Sequence, residues 1–263
     1  MSQDGADQIK LDVAAVAPHP DDLEITCGGT LAKLVKQGYR VGIFDLTSGE
    51  PTPRGSETLR QQEAEAARLA LGVQVRVNLG LPNRVLMDAP ECRFRLATEL
   101  RRYRPQLLIL TAGRTPAASP DHHQGHLLGE AARFYSQLTK WDDRFEGTAP
   151  YRVPHLVYAP FPFDVELRGW QSRVVIDITD TMAQKLTAIR CYASQFDAER
   201  FERVRHFVSG ANAFTGGQCG FLYGELFALP HPVGGADLLA VARGGGGSVA
   251  PVQLPGKDHL PMN

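Results

Sequence analysis

The chain has 263 residues, long for one ordinary domain but within the range of single α/β units. Hydrophobic residues make up 43% and charged residues 22%, with no apolar run near the roughly 20 residues of a membrane span, which excludes membrane and fibrous classes. Lysine plus arginine total 28 against 29 acidic residues, leaving no basic field for a nucleic-acid backbone.

Residues 1–10 carry acids rather than a basic, then apolar, leader, so the sequence reads as cytoplasmic. Leu11 to Ala17 is a short apolar run bounded by Pro18, as in a buried strand. Thr30, Leu31, Leu34 and Val35 share a helical face that Gly38 closes. Val41–Leu46 predicts the second strand and Glu57–Leu71, ended by Gly72, the second helix. Val73–Leu79, Glu91–Tyr103, Leu107–Leu110 and His122–Leu138 continue as strand, helix, strand, helix. This alternation predicts an α/β fold with a mostly parallel sheet, helices on both faces and right-handed crossovers. Leu156–Ala159 and Val174–Ile178 follow as strands and Thr181–Phe196 as a helix. The PFPF run at 160–163 is expected to be an apolar lid or an oligomer contact. One domain over 1–240 is expected, followed at 241–263 by a flexible Gly/Pro-rich tail. Four scattered cysteines without a CxxC pair read as reduced, mostly buried thiols.

In open parallel sheets ligands lie beyond the carboxyl ends of the strands. The first strand runs into His19, Asp21, Asp22 and Glu24, and the fourth into Ser119, Asp121, His122, His123 and His126. Two strand ends thus bring imidazoles and carboxylates to one edge. A His, an Asp and a second His would leave one position of a zinc ion open, as in catalytic sites, with a further carboxylate free to take a proton. The competing reading is capping, since aspartate is favoured ahead of a helix at 21, 22 and 121. A nucleotide-binding glycine loop is disfavoured because HPDD follows the first strand, and Gly28-Gly29 comes too late.

The HPDD motif with LE and GGT behind it, joined with PDH at 120–122 and an Arg-x-x-Glu helix at 60–63, resembles the LmbE-like (PIG-L-like) zinc-dependent de-N-acetylases. Within these, the phrases GYRVGIFDLTSGE, YASQF and FLYGELF are similar to the bacillithiol-biosynthesis deacetylases. The resemblance implies a Rossmann-like fold with its active site at the carboxyl-terminal strand ends. It implies zinc, or another divalent ion, held by His19, Asp22 and His122, with Asp21 as general base and Arg60 contacting substrate. The implied reaction is hydrolysis of an acetamide on an N-acetylglucosamine-containing small molecule, N-acetylglucosaminyl malate being the best match. Other amino-sugar or thiol-conjugate amidases, and a sugar-binding protein without turnover, remain as alternatives. The implied partners are the small substrate and copies of the chain itself, as trimer or hexamer, with neither nucleic acid nor membrane.

One position departs from the family pattern. Ser119 stands where family members usually have a histidine that stabilises the oxyanion or protonates the leaving amine. A serine hydroxyl donates one hydrogen bond but carries no positive charge. His126, on the same helical face as His122, is the preferred substitute, ahead of His123 and His155. Asp121 and Glu24 are further auxiliary candidates, and Asp45, Ser48 and Glu50 read as a polar loop that can line a sugar pocket.

Overall fold

Five small and branched apolar residues, Val13–Ala17, are all buried and form β1, an interior strand of the sheet. The computed structural model describes residues 9–116, 118–162, 172–232 and 234. Along the chain come α1 (Asp22–Lys36), β2 (Val41–Thr47), α2 (Glu57–Leu71), β3 (Val75–Leu81), α3 (Pro90–Tyr103), β4 (Leu107–Ala112) and α4 (Asp121–Tyr135). They are followed by β5 (His155–Pro160), β6 (Ser172–Asp177), α5 (Met182–Arg190), α6 (Ala198–Gly217) and β7 (Gly224–Leu229). The described residues as far as Pro230 form one compact unit that holds all of these elements.

The seven strands are ordered β3-β2-β1-β4-β5-β7-β6. β1 runs parallel to β2 on one side and β4 on the other, and β7 is antiparallel to both β5 and β6. The sheet is therefore mostly parallel, as the alternation predicts. Chain direction across the sheet reverses between β1 and β4, and such a switch point opens a crevice at the carboxyl ends. Layers of buried side chains cover both faces, one around Phe44, Leu110 and Leu128 and the other around Ile43, Leu31 and Tyr192.

Two helices need special packing to reach their places. In α4 a Cβ on Gly125 would lie 2.6 Å from Pro18 Cγ, and one on Gly129 2.6 Å from Leu110 Cδ2. Only glycine permits so close an approach to β1 and β4. α1 breaks its helical geometry at Cys27 (φ −138°, ψ 18°) and restarts. The freed N–H groups of Gly29 and Thr30 donate to the Glu225 carboxylate of β7, at 3.0 and 2.7 Å. Lys185 of α5 pairs with the same carboxylate at 2.6 Å, and both charges are fully buried.

Several boundaries differ from expectation. α1 begins at Asp22, well before the face at Thr30, and the helix predicted over Thr181–Phe196 ends at Arg190. α6 and β7 are not predicted at all. α6 buries Phe201 and Val208 but exposes Phe207 and Phe214, which blurs its apolar spacing. Of the four free cysteines only Cys27 is buried, Cys219 being exposed, so "mostly buried" is corrected. Of the PFPF run, Phe161 is 1% exposed rather than a surface contact, and Phe163 lies outside the described residues, as do 241–263. Among the described residues no helix is long and apolar enough to cross a membrane.

Candidate active site

The turn after β1 and the first turn of α4 meet at the switch point. One ligand atom each from His19, Asp22 and His122 lies within 4.8 Å of the others. His19 Nε2 is 3.2 Å from Asp121 Oδ2, which leaves Nδ1, 3.2 Å from Asp22 Oδ2, facing inward. His122 Nδ1 is 2.7 Å from Thr115 Oγ1, which leaves Nε2, 3.4 Å from Asp22 Oδ1. Each imidazole thus has its outer nitrogen occupied and its inner one turned to the same carboxylate. Phe161 stacks on the His122 ring at 4.2 Å between centroids.

Two imidazoles and one carboxylate, each oriented from behind, are a donor set suited to zinc with a coordination position left open. The same three groups interact strongly without an ion. Burial disfavours a charged His19 ring, but Asp22 and Asp121 outweigh this and raise its pKa to about 10. Burial likewise acts to raise Asp22, yet His122 and His19 hold its carboxyl well below the usual range.

Capping does not explain these acids. Asp21 occupies the N-cap position of α1 but makes no side-chain cap bond, and its φ of 109° is left-handed, a region costly for a residue with a Cβ. The Asp121 carboxylate takes His19 and the backbone N–H groups of Arg84 (2.6 Å) and Leu86 (3.3 Å), fastening a neighbouring loop to the site. Asp21 is not among the clustered ligand atoms. Burial lifts its pKa to about 7 against the pull of the Arg60 guanidinium, whose Nη2 stands 3.1 Å away.

Other sequence candidates fall in different places. Arg60 is buried, gives Nη2 also to Pro20 O at 2.7 Å, and leaves Nε and Nη1 without a hydrogen-bond partner among the described residues. It reaches the site through Asp21. Glu24 is fully buried and accepts from Arg76 at 2.6 Å and from the Tyr192 hydroxyl at 2.9 Å. Arg76 also binds Asp45 in a bidentate pair, so Glu24 and Asp45 belong to a structural network behind the site. Ser119 Oγ accepts from the N–H of Asp121 at 3.2 Å and so braces the start of α4. His126 packs against Tyr158 and sits 3.8 Å from Glu130, one turn beyond His122. His155 opens β5 at the amino ends of the strands, exposed and on the edge opposite the crevice, which removes it as a stand-in for residue 119. Thr115 is a site residue that the sequence reading misses, and Phe161 is one that it places only in an apolar lid or oligomer contact, without its stack on His122. A threonine shortly before PDH and an aromatic after the fifth strand are the only traces they leave in the sequence.

Fold and donor set together define a class: a doubly wound α/β protein with a His-Asp-His triad that could hold a metal ion and an adjacent spare carboxylate at its switch point. Residues 14–133 match the family model described as PIG-L, GlcNAc-PI de-N-acetylase. The solved structure of a conserved protein from Thermus thermophilus is 34% identical, covers 86% of this chain and 97% of its own, and superposes with a TM-score of 0.73. A diacetylchitobiose deacetylase from Thermococcus kodakarensis is 26% identical, over 81% of this chain and 80% of the relative. A 4-oxalmesaconate hydratase from Pseudomonas putida is 29% identical, over 68% and 72% respectively. The chain belongs to the PIG-L, or LmbE-like, family.

Proposed function

We propose that this chain is a zinc-dependent de-N-acetylase of an N-acetylglucosamine-containing small molecule, with N-acetylglucosaminyl malate, on the route to bacillithiol, as the best-matched substrate. The observation that carries this reading is Asp21, a half-buried carboxylate spent neither as a clustered ligand nor as a cap and next in sequence to Asp22 of the triad. His19, Asp22 and His122 would hold the ion, which supplies Lewis acidity to the acetamide oxygen and to water. Asp21 takes the proton from water as its oxygen bonds the acetyl carbon. The C–N bond breaks, and the nitrogen leaves as an amine once it receives a proton. With Ser119 in place of an imidazole, Asp21 returns that proton itself, a double duty suited to a group near pH 7. Arg60 fixes the Asp21 carboxylate through Nη2. Phe161 excludes water from one face of His122.

Acetate release from N-acetylglucosaminyl malate and N,N′-diacetylchitobiose, with and without chelator, tests this. Chelator-sensitive release is expected, and release that chelator leaves unchanged would overturn the metal assignment. Ser119 favours one second reading, hydration of a carboxylated alkene as named for the Pseudomonas putida relative. Addition of water across C=C has no leaving amine, so a missing acid at 119 costs less there. Ser119→His should raise deacetylation by about 10-fold or more if the first reading holds. Hydratase turnover without acetate release would instead select the second.

We also place the protein in the cytoplasm, in keeping with its four free cysteines, as a homo-oligomer. Phe207, Phe214 and Leu222 offer an exposed apolar surface for self-association, and a monomer on sizing would reject it.

A further inference from the structure

We infer that Thr115 is a positioning residue for the metal centre, setting which nitrogen of His122 is presented to the ion. The inference rests on the reading of His19, Asp22 and His122 as ligands. The two histidines are backed differently. Behind His19 stands Asp121, whose carboxylate can only accept when ionised, so Nε2 must carry the hydrogen. Behind His122 stands the Thr115 hydroxyl, 2.7 Å from Nδ1, which can either accept or donate. A donated hydroxyl hydrogen would put the ring proton on Nε2, facing Asp22, and block that nitrogen as a ligand.

Ser119 O decides between the two. It lies 3.4 Å from Thr115 Oγ1 and gives the hydroxyl hydrogen an acceptor other than the ring, so that Oγ1 can accept from Nδ1–H. The turn is closed by Ala118 N–H on Thr115 O at 2.8 Å, and Thr115 itself is 6% exposed, so water does not substitute for the hydroxyl. Phe161 on the ring face restrains its plane but supplies no partner to Nδ1. Thr115 is therefore the group that fixes the ring nitrogen, and the carbonyl of residue 119, rather than its side chain, is what it leans on.

Thr115→Val keeps shape and removes only the hydroxyl, and Thr115→Ser keeps the hydroxyl and removes the methyl. Competition of the full-length chain with a fluorescent chelator for zinc should show wild-type binding of one ion, a Kd weakened about 10- to 100-fold in Thr115→Val, and recovery to within a few-fold in Thr115→Ser. Thermal melting after chelation checks that the two variants fold alike. Equal zinc affinity of wild type and Thr115→Val would overturn the inference while leaving the metal site standing, as would a Thr115→Ser defect as large as that of valine. Absence of zinc binding by the wild type would overturn the metal assignment itself and this inference with it.

Discussion

Asp21 and Asp22 at the site and Glu24 behind it lie within four residues of one another, and the hydrogen bonding around them sets the two regions apart. Behind the site, Glu24, Arg76, Asp45 and Tyr192 answer one another through short, mostly paired contacts, and Lys185 with Glu225 does the same beneath the kink of α1. At the strand ends the balance is incomplete. Among the described residues two donors of Arg60 lack partners, Asp21 is held in a left-handed conformation, and three potential ligands converge on one another. A cluster paired throughout except for Glu24 Oε2 stabilises and one built around unpaired donors is poised to bind, so acids separated by one or two positions acquire opposite uses.

The contrast can be broken most sharply at Asp21. Asp21→Asn should lower kcat about 10²- to 10⁴-fold with the melting temperature and zinc content little changed, since asparagine also tolerates a positive φ. Glu24→Gln, three residues on, should keep kcat in the folded fraction. A kcat loss for Glu24→Gln matching that of Asp21→Asn would erase the distinction. Next in size is Lys185→Met, which strands the buried Glu225 carboxylate and should cost about 3–5 kcal/mol in denaturant unfolding. An unchanged midpoint would show that the pair is not structural.

The smallest effect sharpens the comparison from the side of the site. With the ion chelated, His19 has a folded pKa near 10, raised above its ordinary 6.5 by Asp22 and Asp121 against burial. Such a group contributes stability that is complete below about pH 6.5 and is lost as pH rises through 10. The melting temperature of the chelated protein should fall by several degrees across that window, and in His19→Gln this part of the slope should vanish. A flat profile in the wild type would mean that the ring is neutral there.

Most of the site is legible in the sequence because it is local. HPDD and PDH each deliver their donors within four residues, and the strand-helix alternation says that both end on the same edge. What escapes is whatever depends on distant packing. Glu24 reads equally as a site residue and as helix charge, and Arg76, arriving from β3, is what decides. Glu225 sits on a strand that the sequence pattern does not announce, and its use is set by a break inside α1 that Gly28-Gly29 only permits. Phe161 alternates with two prolines in a run that looks like surface, and only the position of α4 shows that it covers His122.

That position has a cost counted in single hydrogen atoms. His122 reaches Asp22 because the next turn of its helix, at Gly125, rests on Pro18 with no room for a methyl group. Pro18 in turn immediately precedes His19, so one contact sets the spacing of both histidines. Gly125 thus works as a shim between the two halves of the site, and an alanine there would mis-set the gap without touching any donor atom.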